Sequence, residues 1–502
     1  MGREKRDRVS TATLHRQSGP KSKPLVSAVR GSWAASLLAI AVLSSSAGLI
    51  TGGVWLSLQL FVNPDAAEWV NYLLPEWAKI PPVNQESRQT LKQIQTSIRQ
   101  LGQIPGEPVP LETNAQTLQP TSLLLPVLAS LRTCQIDCEQ IVELRVYQLS
   151  STGNSRARPG ETYYELVSQI PIEGPEESFA IAPFVDAETA NFDSSLPLPL
   201  TEVRRFEGTT PASGVWLYLW GQRVQGTRAI AYGQIVNYNP SHSHLSLMLP
   251  WTSPTGQVPQ WQQVSGGGSP ELVVDQTIDM EPQLHVYQVK PSEFFLNPLQ
   301  LELIALTEPA LNTPAYRNAL LIARSGLWSP AWKWLQFIKR QRQEKREPWS
   351  AAAQAQMDLI RLHAQLTKIQ AEKTWASPSQ EVLADLIDGR WGEGLQVFQA
   401  SAVGEMNESP LQEIATLMAA DSGLLWDRVE AALRVNPDRP EVKAWGALIV
   451  GAKEGKLSAI AWLKQQPKTT PANVAYIQTL LRRLEGDFAL MPVVHTIATG
   501  GS

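Results

Sequence analysis

Cysteine is almost absent: two residues in 502, Cys134 and Cys138. A zinc site built from two cysteine pairs is therefore excluded, and so is a disulfide-dense scaffold. Histidine is scarce too, with six residues, and neither charge sign prevails, since the net charge is −4. So weak a net charge gives no field that would draw nucleic acid. No phosphate-binding loop is present, because the run Gly266-Gly267-Gly268 is followed by neither Lys-Ser/Thr nor a helical pattern. There is no Gly-x-Ser-x-Gly elbow and no His-Glu-x-x-His. The carboxylate pairs Glu176-Glu177 and Asp186/Glu188 lie in polar loops, at no spacing that selects an acid and a base. These absences argue against an enzyme and imply no cofactor and no metal.

One long stretch without charge runs from Gly31 to Pro64. Its apolar part, Trp33 to Val62, would be about 45 Å long as a helix, and a bilayer core needs only about 20 residues. Residues 1–30 hold eight Lys/Arg and two acids, a net +6 that leaves −10 for the remainder. By the positive-inside rule the expectation is a single-pass membrane protein with a disordered, basic cytoplasmic tail. Residues 33–62 would be its transmembrane helix, and the bulk would lie outside the cytoplasm, in periplasm or lumen. Cleavage near Ser45-Ser46-Ala47, as in a signal peptide, is the rival reading and would also export the rest. Ser44, Gly48 and Gly52 recur every four residues, a spacing that lets a second helix approach closely.

In an exported body, Cys134 and Cys138 can close a small disulfide loop, provided a turn or helix brings them together. Residues 63–122 read as juxtamembrane helices and linker. Within them Leu91, Ile94, Ile98 and Leu101 form a short 3-4-3 seam over 84–102, fit either to pack on the same chain or to pair two chains as a homodimer.

Residues 123–305 read as a β-rich, sandwich- or barrel-like domain. Apolar and polar residues alternate in 143–149, 242–248 and 283–289, while 215–220 and 229–236 are rich in aromatic and β-branched residues. Trp216, Tyr218 and Trp220 share one face of such a strand, and Leu217 and Leu219 share the other. That aromatic face would either stack on sugar rings or be buried. His242 and His244 likewise share a face, either as ordinary polar side chains or, with His285, as metal ligands.

Residues 308–502 change to a helical pattern. Gly389, Gly423 and Gly455 stand 34 and 32 residues apart, and Gly326 lies 63 before Gly389, close to two periods. Each glycine would end one helix and turn the chain into the next, giving helix pairs of about 33 residues. With Ala431-Ala-Leu-Arg-Val-Asn-Pro437, Ala444-Trp-Gly-Ala-Leu and Ala459, this region resembles tetratricopeptide repeats, although the unit near 358 has no glycine. The resemblance implies an α-solenoid whose concave surface binds peptides or proteins. In general style (basic tail, apolar run, Gln- and Trp-rich helices) the whole chain resembles envelope proteins of cyanobacteria.

The fold class expected is thus multidomain: one transmembrane helix, a β-rich domain and an all-α helical-repeat domain. The function expected is that of a membrane-anchored scaffold or assembly factor with a protein partner in or at the membrane. The alternative is an envelope module centred on the β domain that binds glycan or metal, with or without hydrolytic activity. Candidate partner-surface residues are Trp328, Trp332 and Trp391, with Lys339, Arg340 and Arg342 from the basic run 339–346.

Overall fold

The computed structural model describes residues 88–113, 120–130, 139–150, 161–184, 197–225, 228–293, 298–401, 410–421 and 423–484. The chain divides after Ser87 into two units, and every described residue belongs to the second.

The membrane-spanning part of the expected architecture is corrected here. Among the described residues no helix is long and apolar enough to cross a membrane. The apolar run 33–62, with Ser44, Gly48 and Gly52, lies outside the described residues, as do Cys134 and Cys138. The single-pass placement, with bulk outside the cytoplasm, is not supported and is set aside.

What is described is a stack of layers. The first is helix α1 (Leu91–Gln100), started by a capping box in which Thr90 and Gln93 satisfy each other's backbone amides. Its seam residues Ile94 and Ile98 are buried, whereas Leu101 is 70% exposed, so the seam packs on its own chain. Beneath it lies sheet I, antiparallel, with strands β1 (Gln89–Thr90), β2 (Ile104–Pro105), β3 (Val109–Thr113), β4 (Pro120–Ser130), β5 (Glu139–Leu149) and β6 (Tyr163–Pro171). The order is β1-β6-β5-β4-β2, with β3 also on β4. Residues 104–105 and 109–113, which composition reads as linker, are therefore strands. Their prolines sit on short edge strands, where a missing amide costs no central ladder bond.

After the short helix α2 (Glu177–Ala180) comes sheet II, with strands β7 (Glu202–Arg205), β8 (Val215–Gln225), β9 (Arg228–Asn239) and β10 (His244–Ser253), in the order β10-β9-β8-β7. Sheet III holds β11 (Gln260–Gln262), β12 (Glu271–Asp275), β13 (Leu284–Pro291) and β14 (Leu299–Leu303) in sequence order. Sheet I buries Leu124, Leu144 and Val146 against Leu217, Leu219 and Val236 of sheet II. The other face of sheet II, with Trp216, Tyr218, Ile235 and Trp251, is buried against Leu272 and Val274 of sheet III. Both faces of sheet III are covered as well, which is why β12 reads Leu-Val-Val without alternation. Val273 and Val286 on its far face meet Ala355 and Leu359 of a helix.

That helix is α5 of the C-terminal region. Ten helices follow sheet III among the described residues: α3 (Pro314–Arg324), α4 (Trp328–Glu344), α5 (Ala351–Ala371), α6 (Pro378–Asp388), α7 (Trp391–Ala400), α8 (Pro410–Ala420), α9 (Leu424–Val435), α10 (Pro440–Glu454), α11 (Lys456–Gln465) and α12 (Pro471–Leu484). Thr313-Pro314 and Ser377-Pro378 start α3 and α6 with a hydroxyl cap and a proline at the first helical position. The region is all-helical and compatible with a helical repeat. Gly326, Gly389, Gly423 and Gly455 all have positive φ; the helices flanking Gly326, Gly389 and Gly455 pack as pairs, whereas α8 and α9, on either side of Gly423, both pack on α10 instead. Where the glycine is missing, near 358, no turn forms, and α5 runs unbroken for 21 residues. Helix α10 is the centre of the later helices and is buried at every position from Val442 to Ile449. The hairpins are not stacked only on their neighbours, since α9 returns to pack on α3.

Candidate interaction surface

Helix α5 faces two ways and positions everything around it. His363, on α5, is 2% exposed. Its Nδ1 lies 2.9 Å from the Leu359 carbonyl, one turn back, and the amide of Leu284 on β13 donates to its Nε2 at 2.8 Å. Those partners require a neutral ring carrying its proton on Nδ1. Burial pushes the imidazole down to about 4, against a smaller upward pull from the Leu359 carbonyl. Trp328 of α4 stacks on the ring at 4.0 Å between centroids.

Three further contacts join the helices to the sheets. Arg361 of α5 donates to the Val264 carbonyl at 3.0 Å and pairs with Asp358 at 3.2 Å. Gln356 donates to the carbonyls of Ala305 and Glu308 and accepts from the Ala310 amide and the Tyr316 hydroxyl, fixing the connection into α3. Arg428 of α9 reaches Glu281, in the turn between β12 and β13. The helical region is therefore held on sheet III by side chains from α5 and α9.

On the other side of α5, Asp388 accepts from Ser329 at 2.5 Å, Thr367 at 2.7 Å and Arg390 at 2.8 Å. Nearby Asp385 is buried too, and burial pushes its carboxyl up to about 7 in spite of Arg390.

The candidate partner residues divide between the interior and the surface. Trp391 is 2% exposed; its carbonyl accepts from the Trp445 indole at 2.9 Å, so it belongs to the core. Trp328 and Trp332 are half-buried and pack against that core. Lys339 donates to Gln354 at 2.7 Å and lies over Trp349. Arg342 donates to the Pro348 carbonyl at 3.1 Å and pairs with Glu347 at 2.9 Å. Lys339 thus fastens α4 to the first turn of α5, and Arg342 fastens the end of α4 to the loop before α5. Arg340 alone of the six points outward without such a contact.

In the β domain, the aromatic face of β8 is enclosed between sheets II and III. Trp216 meets Trp261 at 4.9 Å, edge to face, and Tyr218 meets Phe206 at 4.9 Å. Neither ring is free to stack on a sugar; Trp220, at the end of that face, is half-buried with Arg204 5.9 Å from its ring centroid. His242 sits in the turn before β10, with Nδ1 3.1 Å from the side-chain Nδ2 of Asn239. His285 is on β13, in a different sheet. No group of three or more His, Cys, Asp or Glu placed to hold a metal occurs among the described residues.

No family model matches this chain, and neither a curated protein nor a solved structure does. The sequence offered Trp328, Trp332 and Trp391 together as surface candidates, and Trp391 lies in the core. It did not single out Gln356, Arg428 and Glu281, nor show that His363 is a core residue satisfied by Leu284, because the partners lie far away along the chain.

Proposed function

We propose that this protein is a non-enzymatic interaction scaffold whose helical region binds a protein partner. The observation that carries the reading is the set of positive-φ glycines Gly389, Gly423 and Gly455, spaced close to 33 residues, with the flanking helices packed as a pair at Gly389 and at Gly455. That unit is tetratricopeptide-like, and paired-helix units of this kind bind peptides and proteins through helix faces. The array is irregular at α5 and where α9 meets α3. A second support is the mounting: with α5 and α9 fastened to sheet III, a partner would meet a surface ordered in advance, and little ordering entropy would be lost on binding. The glycan reading of the β domain has no comparable support, because its aromatic face is enclosed.

Photo-crosslinking in the cell tests the proposal. A photoreactive residue replaces an exposed apolar side chain on the helices, Phe337 (50% exposed) or Leu457 (84%), or in the β-rich part, Leu101 (70%) or Val224 (70%). The expected result is a discrete adduct from a helical position and none from the β positions. Adducts from the β positions alone, or from none, would overturn the proposal.

A further inference from the structure

Up to its last residue, Glu344, the hairpin of α3 and α4 is charged on one sign only. Between Glu308 and Glu344 the sequence contains no acid, while Arg317, Arg324, Lys333, Lys339, Arg340 and Arg342 all fall there, in a chain whose net charge is −4. Two of these cations, Lys339 and Arg342, are taken up by Gln354, Pro348 and Glu347. The other four, Arg317, Arg324, Lys333 and Arg340, are exposed, and none makes an ion pair or side-chain hydrogen bond among the described residues. Lys333, Phe337 and Arg340 are spaced four and three apart, so they lie along one face of α4, with the half-exposed Phe337 ring between two free cations. An isolated exposed aromatic is ordinary; one bracketed by unpaired cations, on a hairpin whose one acid is Glu344 at its very end, is a matched set of contacts.

Resting on the scaffold reading above, we infer that the outer face of α4 (Lys333, Phe337 and Arg340) docks an acidic segment of the protein partner, most suitably a helix carrying an apolar side chain with carboxylates about one turn to either side. Charge complementarity is the argument. Carboxylates on such a segment fall opposite Lys333 and Arg340 while its apolar side chain covers Phe337. The free cations Arg317 and Arg324 on α3 add to the attraction at longer range. An extended polyanion such as nucleic acid fits less well, since it offers no apolar group for Phe337 and would contact few cations here.

The test uses the purified full chain and fluorescence anisotropy. The probe is a short synthetic helical peptide with glutamates one turn either side of a leucine. An oligothymidylate of equal length serves as the nucleic-acid arm. The double variant Lys333→Glu/Arg340→Glu should bind the peptide about tenfold more weakly or worse, with the wild-type affinity falling as salt rises. The charge-matched control Lys92→Glu/Lys464→Glu should bind as wild type, and Phe337→Ala should weaken binding without altering its salt dependence. Absence of peptide binding, an equal loss in the control, or oligothymidylate binding as tight as the peptide and lost in the same variant would overturn the inference. If the Phe337 crosslink in cells survives Lys333→Glu/Arg340→Glu, the scaffold reading stands and only the acidic-segment assignment falls.

Discussion

Arg428 and Glu281 are 147 residues apart in sequence and meet in a two-pronged ion pair, Nη1 donating to Oε1 at 2.9 Å and Nη2 to Oε2. The Arg428 side chain is 2% exposed and that of Glu281 28%. The two sides of the pair are therefore unequal. Removing the acid leaves a guanidinium buried without a counter-charge; removing the base leaves a carboxylate that water can reach. Glu281→Ala should cost about 3–5 kcal/mol, and Arg428→Met, which keeps the apolar stem, about 1–2 kcal/mol. Urea denaturation of both variants checks the order, and a larger loss for Arg428→Met would contradict it.

His363 makes stability depend on acid in a definite direction. Its folded value is about 4, below the ordinary 6.5, so the unfolded chain takes up the proton first. The stability it confers is complete above pH 6.5 and is lost as pH falls from there toward 4. At about 1.4 kcal/mol for each tenfold change in proton affinity, the loss is about 3 kcal/mol. His363→Leu should remove this component, so the wild-type-minus-variant difference in unfolding free energy should shrink over that interval. A difference constant with pH would show that the ring is not held neutral between Leu359 and Leu284.

Asp385 has the opposite sign. Burial holds its carboxyl at about 7 against an ordinary 3.8, so the folded chain keeps the proton longer. Stability from this group is present below pH 3.8 and declines as pH rises through 7. Asp385→Asn should therefore be near neutral at pH 4 and stabilising by on the order of 4 kcal/mol at pH 8. Thermal unfolding at the two pH values decides the matter, and equal effects at both would contradict it.

The turn glycines should not be equally sensitive. Gly423, at φ 111°, has nothing within 4 Å of where a Cβ would sit. At Gly389, φ 76°, a Cβ would come within 2.7 Å of Pro330 Cγ. Gly423→Ala should incur only the left-handed backbone penalty, about 1–2 kcal/mol, while Gly389→Ala should incur that penalty and also lose the packing of α4 on the α6–α7 turn. Equal melting temperatures for the two variants would contradict this.

The sequence made some of this legible and hid the rest for physical reasons. The periodic glycines marked the helix turns because a positive φ is costly for any other residue, and the missing glycine near 358 corresponds to the unbroken α5. Alternation identified β5, β10 and β13. It did not reveal what covers each face: Trp216, Tyr218 and Trp220 alternate with leucines whether their face is open or, as here, capped by another sheet. The 3-4-3 seam of α1 likewise does not say whether sheet I or a second chain fills it. The joint was illegible, since a histidine on a helix carries no mark of the Leu284 amide 79 residues away. The basic run at 339–346 was visible as charge, but its division into fastened Lys339 and Arg342 and free Arg340 depends on Gln354, Pro348 and Glu347.

An interaction face mounted rigidly on the sheets requires that α5 belong to both halves of the described body. Native-state hydrogen exchange measures this directly by comparing amides of α5 from Leu359 to Thr367 with those of β13 around Val286. If the two halves share α5, both sets open with the same free energy and the same denaturant dependence, and His363→Leu lowers both together. If the sheet amides exchange through a separate opening while α5 stays protected, the helical region and the sheets are independent bodies, and the mounted face does not exist.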